Sequence, residues 1–255
     1  MSDPEQDGLL APAEAIESDE ASEDSPLAPS LESGLSRRQL AWKTAAVLAL
    51  AILPAWYFSF SWLIWGDPDA ASVVDVALSR FVHSLQFWLP VCYLISRSGE
   101  GWSKFGFARP RWLLDPLLAV GVWMCDVVFQ RWVIRMASRL LAADQFEALF
   151  SHSNYTYAVA LTPGEHVLQA ASLAASSFTE ELVMRGYLLR RFEQLFRSTW
   201  LSVLFTSVLF AGYHTYQGPG GTVHAFVAGL TYAGAFCLFR RLWPVVIAHT
   251  LGIVP

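Results

Sequence analysis

Two adjacent glutamates in the segment 178–187 have the residue types and spacing expected of acid–base chemistry. Glu181 and Arg185 are four residues apart, so on a helix they share a face and can form an ion pair. Glu180 is rotated by about 100° from Glu181 and is left without that partner. A carboxylate whose charge stays uncompensated in a low-dielectric site binds a proton readily, which suits a general base or acid. The alternative interpretation is structural: both glutamates pair with Arg185 and hold helices together.

Two histidines have the character needed to complete such a site. His214 lies near the end of a hydrophobic run with Phe210 one turn before it, and His249 lies in the last hydrophobic run. A carboxylate and an imidazole can together hold and deprotonate one water molecule, and a second imidazole can donate to the oxyanion that forms. His224 opens another run and could face the same cavity. We interpret the remaining histidines as structural or solvated: His83, His152 and His166.

Hydrophobic runs of membrane-spanning length must position these side chains. They cover residues 41–65, 72–96, 112–134, 164–189, 199–216, 222–239 and 243–254, approximately. The last run is too short to cross a hydrocarbon core of ~30 Å at ~1.5 Å per residue. The sequence therefore predicts an all-α, polytopic transmembrane bundle of about seven helices. An interfacial helix within 138–163 would make an eighth.

The charge distribution separates an acidic tail from a membrane domain. Residues 1–36 hold ten of the 22 acidic residues and no Lys or Arg, and only 15% of the whole chain is charged. Soluble domains carry about a quarter charged residues, so the composition excludes an ordinary soluble enzyme, a nucleic-acid binder and a disulfide-rich module. We predict a disordered tail over 1–36 and a transmembrane helical domain over 37–255.

Basic residues in the loops alternate with uncharged or acidic loops, which predicts a cytoplasmic N-terminus. In this topology Glu180 lies toward the cytoplasmic side of its run, whereas His214 lies toward the opposite end of the next one. The two meet only if the run that carries Glu180 is long and shifted or the next run begins deep. Small residues repeat every four positions at Ala225, Gly229 and Ala233, and this spacing lets helices pack closely in lipid.

Three motifs in successive runs resemble the CPBP family, which comprises CAAX prenyl proteases and bacteriocin-processing or immunity proteins and is also called the Abi family. The resemblance covers about residues 160–255. The motifs are Glu180-Glu181-x-x-x-Arg185-Gly186, Phe210-x-x-x-His214, and Trp243-Pro244 with Ala248-His249.

The resemblance implies a glutamate-type intramembrane endopeptidase. By it, Glu180 would activate water, His214 would share that water, and His249 would help to form the oxyanion hole. The supporting motif residues would be Glu181, Arg185 and Phe210.

One position departs from the family pattern. The last motif usually carries Asn or Asp four residues after its histidine, but this chain has Ile253 there. Losing one oxyanion donor typically lowers a rate by about 10²–10³. Either Asn154, His224 or a backbone N–H substitutes for the missing donor, or activity is altered or absent.

Glutamate and histidine also bind metals, so a metalloprotease must be considered. The chain has no His-Glu-x-x-His motif. Two carboxylates and two histidines could hold zinc, but Arg185 one turn from Glu181 would repel a cation. We therefore expect no metal and no cofactor.

Three functional hypotheses follow. The first is an endopeptidase in the bacterial inner membrane that cleaves a membrane protein or a lipidated peptide near its membrane-embedded segment. The second, motivated by Ile253, is a catalytically silent family member acting as an immunity or scaffold protein. The third is a transporter with Glu180, Asp126 and Arg131 along its path, although the sequence shows no inverted repeat in support.

Overall fold

The computed structural model describes residues 35–57, 59, 73–150 and 161–253, and these ranges are helical without any strand. The predicted disordered tail lies outside the described residues apart from its last two positions. The helices are α1 (Arg37–Val47), α2 (Val73–Ser96), α3 (Leu114–Leu140), α4 (Ala143–Phe150), α5 (Pro163–Glu181), α6 (Arg190–Phe196), α7 (Thr199–Tyr213), α8 (Gly218–Phe239) and α9 (Leu242–Ile253). The predicted runs 72–96, 199–216, 222–239 and 243–254 coincide with helices to within four residues. Helix α3 ends six residues after the predicted 134, the run that begins near 164 continues to Phe196, and the end of the first run lies outside the described residues. Helix α4 lies where an additional interfacial helix was the alternative.

Three helical segments among the described residues are long and apolar enough to cross a membrane: Arg37–Tyr57, Leu114–Leu140 and Thr215–Phe239. The first continues α1 through a π-helical turn, Leu48–Ile52. Two shorter apolar helices, α7 and α9, complete the hydrophobic set. The all-helical prediction is confirmed for the described ranges, whereas the number of spans and the extent of the membrane domain stay predictions.

The helix that carries both glutamates is unusually long because three helical segments join end to end. A capping box fixes its start: Thr162 Oγ1 accepts from the Glu165 N–H, and Glu165 Oε2 accepts from the Thr162 N–H. Helix α5 then continues through a π-helical segment, Leu182–Leu189, into α6. Glu180 can meet His214 if the helical run that carries Glu180 is long. The run from Pro163 to Phe196 has that length.

A tight turn reverses the chain after α6. Arg197 adopts a left-handed backbone conformation with φ of 54°, and the Ser198 hydroxyl accepts from the Leu201 N–H at the start of α7. Glu180 precedes Arg197 by as many residues as His214 follows it. The antiparallel hairpin therefore brings Glu180 and His214 to the same level.

Helices α7 and α8 approach closely where the predicted small-residue repeat lies. A Cβ atom added at Gly229 would lie 3.0 Å from both Cα and Cβ of Ser207, whereas one added at Gly234 would meet nothing within 4 Å. The repeat on α8 thus lets the two backbones meet, as its spacing predicts.

We expect Gly229→Val to lower the free energy of unfolding by about 1–3 kcal/mol relative to Gly234→Val, because the added side chain must push α7 away. Both variants introduce the same residue into one helix, so the difference in helix propensity cancels. Equilibrium unfolding in mixed micelles measures both. Equal stability of the two variants would contradict the close approach.

An ion-pair network joins the end of the long helical run to the loop that follows α2. Glu100 accepts hydrogen bonds from Arg190 and Arg191, with Arg190 Nε 2.7 Å from Glu100 Oε2. Burial of the Glu100 carboxyl favours its neutral form, but the hydrogen bonds and charges of the two arginines outweigh burial and hold its pKa below the usual glutamate value.

The lowered pKa of Glu100 predicts a specific loss of stability in acid. The folded protein binds the Glu100 proton less readily than the unfolded chain, so stability is fully present above the unfolded pKa of about 4.3. It is lost as the pH falls from there through the lower folded-state pKa. We expect Glu100→Gln to flatten this part of the pH dependence of unfolding, while Asp144→Asn, at an exposed position, keeps it. Identical acid slopes for Glu100→Gln and wild type would refute the prediction.

Candidate active site

The three predicted catalytic residues converge on one carboxylate oxygen. Glu180 Oε2 lies 3.7 Å from His214 Nε2 and 3.8 Å from His249 Nε2. This oxygen is buried and has no hydrogen-bond partner among the described residues. The other oxygen, Oε1, accepts a hydrogen bond of 3.1 Å from the Ser176 hydroxyl. Three polar atoms at such separations can all reach one water molecule or one substrate oxygen placed between them.

The geometry of α7 orients His214. The residue lies directly after Tyr213, the last residue of the helix, and its Nδ1 is 2.9 Å from the Phe210 carbonyl oxygen. Only a protonated Nδ1 can donate to that carbonyl, so the neutral ring directs its unprotonated Nε2 toward Glu180. Phe210, a predicted supporting residue, thus acts through its backbone carbonyl. Its ring also packs against His214, with centroids 4.4 Å apart.

Glu181 connects Arg185 to His249. Arg185 Nη1 donates to Glu181 Oε1 over 2.9 Å, and His249 Nδ1 lies 2.8 Å from the same oxygen. The Glu181 and Arg185 side chains are fully buried. The ion pair that the spacing of Glu181 and Arg185 predicts is therefore present, and Arg185 pairs with Glu181 and not with Glu180. The bond to Glu181 holds the His249 ring so that Nε2 faces Glu180.

Arg185 is held from several sides, which fixes the orientation of Glu181. Arg185 Nη2 donates to the Gly229 carbonyl over 3.3 Å. The guanidinium lies over the ring of Phe210, 4.6 Å from its centroid, and 5.7 Å from the centroid of Tyr232. Cation–π contacts of this kind are stronger where water is excluded.

A comparison with known protein families finds a match for this region. Residues 163–252 match the model of the family described as type II CAAX prenyl endopeptidase Rce1-like. This part of the chain is similar to that family. The match confirms the family resemblance seen in the sequence. The matched range includes Glu180, His214 and His249. No curated protein and no solved structure matches the chain significantly.

The Rce1-like match makes this segment CAAX-protease-like. Endopeptidase activity is the property for which the family is named. Together with the three helical segments that are long and apolar enough to cross a membrane, the match indicates an integral membrane protein.

The remaining predicted site residue lies apart from this centre. The ring of His224 in α8 is 6.3 Å from that of Phe150, and its carbonyl accepts a hydrogen bond from Gln130. The described part of the chain records no contact of His224 with Glu180 or His249. Asn154 lies outside the described residues, so the identity of a substitute oxyanion donor stays a prediction.

Two side chains that the sequence analysis did not assign to the site lie within it. Ser176 donates to Glu180 from one turn earlier on α5, and its four-residue spacing is a signal that could have revealed it. The Tyr232 ring lies 5.3 Å from that of His249. Tyr232 lies three residues after Gly229 on α8, and its contact with α9 carries no sequence signal.

A cleft opens beside Glu180. It lies between the π-helical turn that follows α1, α2, the long run through α5, and the end of α7. Most of its lining is apolar: Ala51, Ile52, Ala55, Phe87, Val183 and Met184. Such a cleft can take an apolar part of a substrate next to the carboxylate.

The glutamate and histidine side chains of the site are also of the types that bind metal ions. Among the described residues, no three side chains of the metal-binding types are arranged to hold an ion. The expectation of a mechanism without metal remains a prediction.

Proposed function

We propose that the protein is a glutamate-type intramembrane endopeptidase that hydrolyses a peptide bond near a membrane-embedded or lipidated segment of its substrate. One observation carries the proposal: Glu180 Oε2 has a histidine Nε2 on each of two sides, at 3.7 and 3.8 Å. The Rce1-like match of the same segment supports the reaction class. The apolar cleft beside Glu180 supports a membrane-embedded substrate.

The proposed reaction begins with a water molecule between Glu180 and His214. Glu180 accepts a proton from this water while the Nε2 lone pair of His214 keeps it in place. The water oxygen then attacks the substrate carbonyl carbon, and the carbonyl oxygen becomes an oxyanion. Glu180 afterwards passes its proton to the leaving amine as the C–N bond breaks, which restores the carboxylate.

His249 is proposed to stabilise the oxyanion. Its Nδ1 donates to Glu181, and in the imidazolium form its Nε2 also carries a proton that can be donated. A preorganised donor in a site without bulk water is among the largest contributors to catalysis.

Location and partners follow from the same proposal. We place the protein in the bacterial inner membrane with a cytoplasmic N-terminus, a helical domain over 37–255 and an acidic tail before it. A membrane protein or lipidated peptide is the proposed substrate. Among the described residues, the proposed mechanism uses the side chains of Glu180, Glu181, His214 and His249.

A second candidate function has one observation in its favour. Ile253 supplies an apolar side chain where the family has a polar donor, which favours a catalytically silent member that acts as an immunity or scaffold protein. The two functions differ in whether the Glu180 carboxylate is needed for the biological effect.

A comparison of protein termini in the native host tests the proposal. Strains would express wild type, Glu180→Gln or Glu165→Gln at equal levels. Glu165→Gln makes the same chemical change at the start of α5, where glutamine also completes a capping box. We expect new termini with wild type and Glu165→Gln and none with Glu180→Gln. The same termini in all three strains would overturn the proposal and favour the silent function.

A further inference from the structure

The cleft beside Glu180 contains a histidine that the proposed mechanism does not use. His83 lies midway along α2, is exposed, and lines the cleft together with Glu180. The Glu180 side chain is only 14% exposed. His83 therefore marks the open side of the cleft, and Glu180 marks its inner end.

Packing fixes the face of α2 that carries His83. Trp88 Nε1 donates to Thr179 Oγ1 over 2.7 Å, which anchors α2 on the residue next to Glu180. The ring of His83 packs edge-on against that of Phe87, with centroids 4.6 Å apart. Both rings line the cleft, so the anchor keeps His83 directed toward it.

The hydrogen-bonding groups of His83 are not used within the described protein. Its recorded contact is the ring of Phe87, and no described residue forms a hydrogen bond or ion pair with it. Two other polar side chains of the cleft are engaged: Ser176 donates to Glu180, and Thr179 bonds Trp88 and the Ala175 carbonyl. An imidazole at the edge of an apolar cleft can therefore offer its hydrogen-bonding groups to a ligand bound there.

We infer that His83 is a substrate-binding residue whose imidazole donates a hydrogen bond to a backbone carbonyl of an apolar substrate segment in the cleft. A neutral imidazole always carries one N–H, and an extended peptide presents carbonyl oxygens that need donors in an apolar setting. Small side chains in the lining, Ala51 and Ala55, leave room for that segment. The inference rests on the proposed function because it assigns the binding of the same substrate.

Two substitutions separate the hydrogen bond from the packing of the ring. His83→Phe keeps an aromatic ring against Phe87 but removes the donor, whereas His83→Gln keeps a donor and removes the ring. His166→Phe is the matched control, since His166 is exposed in the first turn of α5. The probe is an internally quenched, prenylated peptide ending in a CAAX-type sequence, assayed with full-length protein in detergent.

We expect His83→Phe to raise KM for this peptide by about 3- to 10-fold, the effect of one hydrogen bond, with kcat unchanged. His83→Gln should stay within about twofold of wild type, and His166→Phe should not differ from it. The same peptide with a simple fluorophore would be titrated onto each variant combined with Glu180→Gln, where Kd should follow the same order.

The two arms distinguish failure of the inference from failure of the proposed function. If wild type binds the peptide but does not cleave it, the proposed function fails and the binding order still decides the role of His83. Equal KM and Kd for His83→Phe, His83→Gln and wild type would overturn the inference. So would equal losses in both variants, or the absence of any binding by wild type.

Discussion

Glu180→Gln should lower kcat by about 10²–10⁴ with little change in the stability of the fold. Glutamine has the shape of glutamate, and its Oε1 can still accept the hydrogen bond from Ser176. What it lacks is the negative oxygen that lies between His214 and His249, at 3.7 and 3.8 Å. An uncharged amide cannot accept the proton of the attacking water, so the chemical step loses its base.

Steady-state kinetics on a peptide that spans a mapped cleavage site would measure this effect, with thermal unfolding as the test of folding. Glu165→Gln is the control because it changes the same functional group on the same helix outside the cluster. The proposal predicts that KM changes much less than kcat, since the carboxylate acts in the transition state. A Glu180→Gln variant that keeps most of its kcat would remove Glu180 from the mechanism.

Arg185→Met should lower the free energy of unfolding by about 3–5 kcal/mol, the usual result of removing one partner of a buried ion pair. Arg185 Nη1 is 2.9 Å from Glu181 Oε1, and both side chains are essentially inaccessible to solvent. Without the guanidinium, a buried carboxylate remains with His249 as its partner. The cost therefore reflects the uncompensated charge more than the intrinsic strength of the pair.

A second substitution tests that explanation. Glu181→Gln combined with Arg185→Met removes the uncompensated charge, so the double variant should recover part of the lost stability. Arg240→Met is the control for loss of an arginine, because the Arg240 side chain that pairs with Glu193 is 33% exposed. Unfolding in mixed micelles would compare the three variants. Equal losses for Arg185→Met and Arg240→Met, without recovery in the double variant, would refute the role of burial.

The helices and the local pair were accessible from the sequence because their geometry is set within one segment. Hydropathy located α2 and α9 to within a residue or two of their bounds. A spacing of four residues was sufficient for the pair of Glu181 and Arg185, since one helical turn brings such residues together. Positions in the hydrophobic runs singled out His214 and His249 from six histidines, and the family resemblance then implied their roles.

The relation between helices could not be inferred from the sequence. His83 was interpreted as structural or solvated, yet it lines the cleft of Glu180. His224 was considered for the same cavity, but its ring lies against Phe150. Both residues have the same type and similar apolar surroundings in sequence, and nothing local distinguishes the face that each presents.

The sequence by itself determined that this is a helical chain of membrane type, that its C-terminal part resembles a peptidase family, and that Glu181 can pair with Arg185 within one helical turn. Only the tertiary structure decided that His249 shares Glu181 with Arg185 and that His83 opens onto Glu180. The physical reason is that contacts between helices depend on their depth and rotation. These are set by packing of distant segments, such as the close approach of Gly229 to Ser207, and no periodicity within one helix records them.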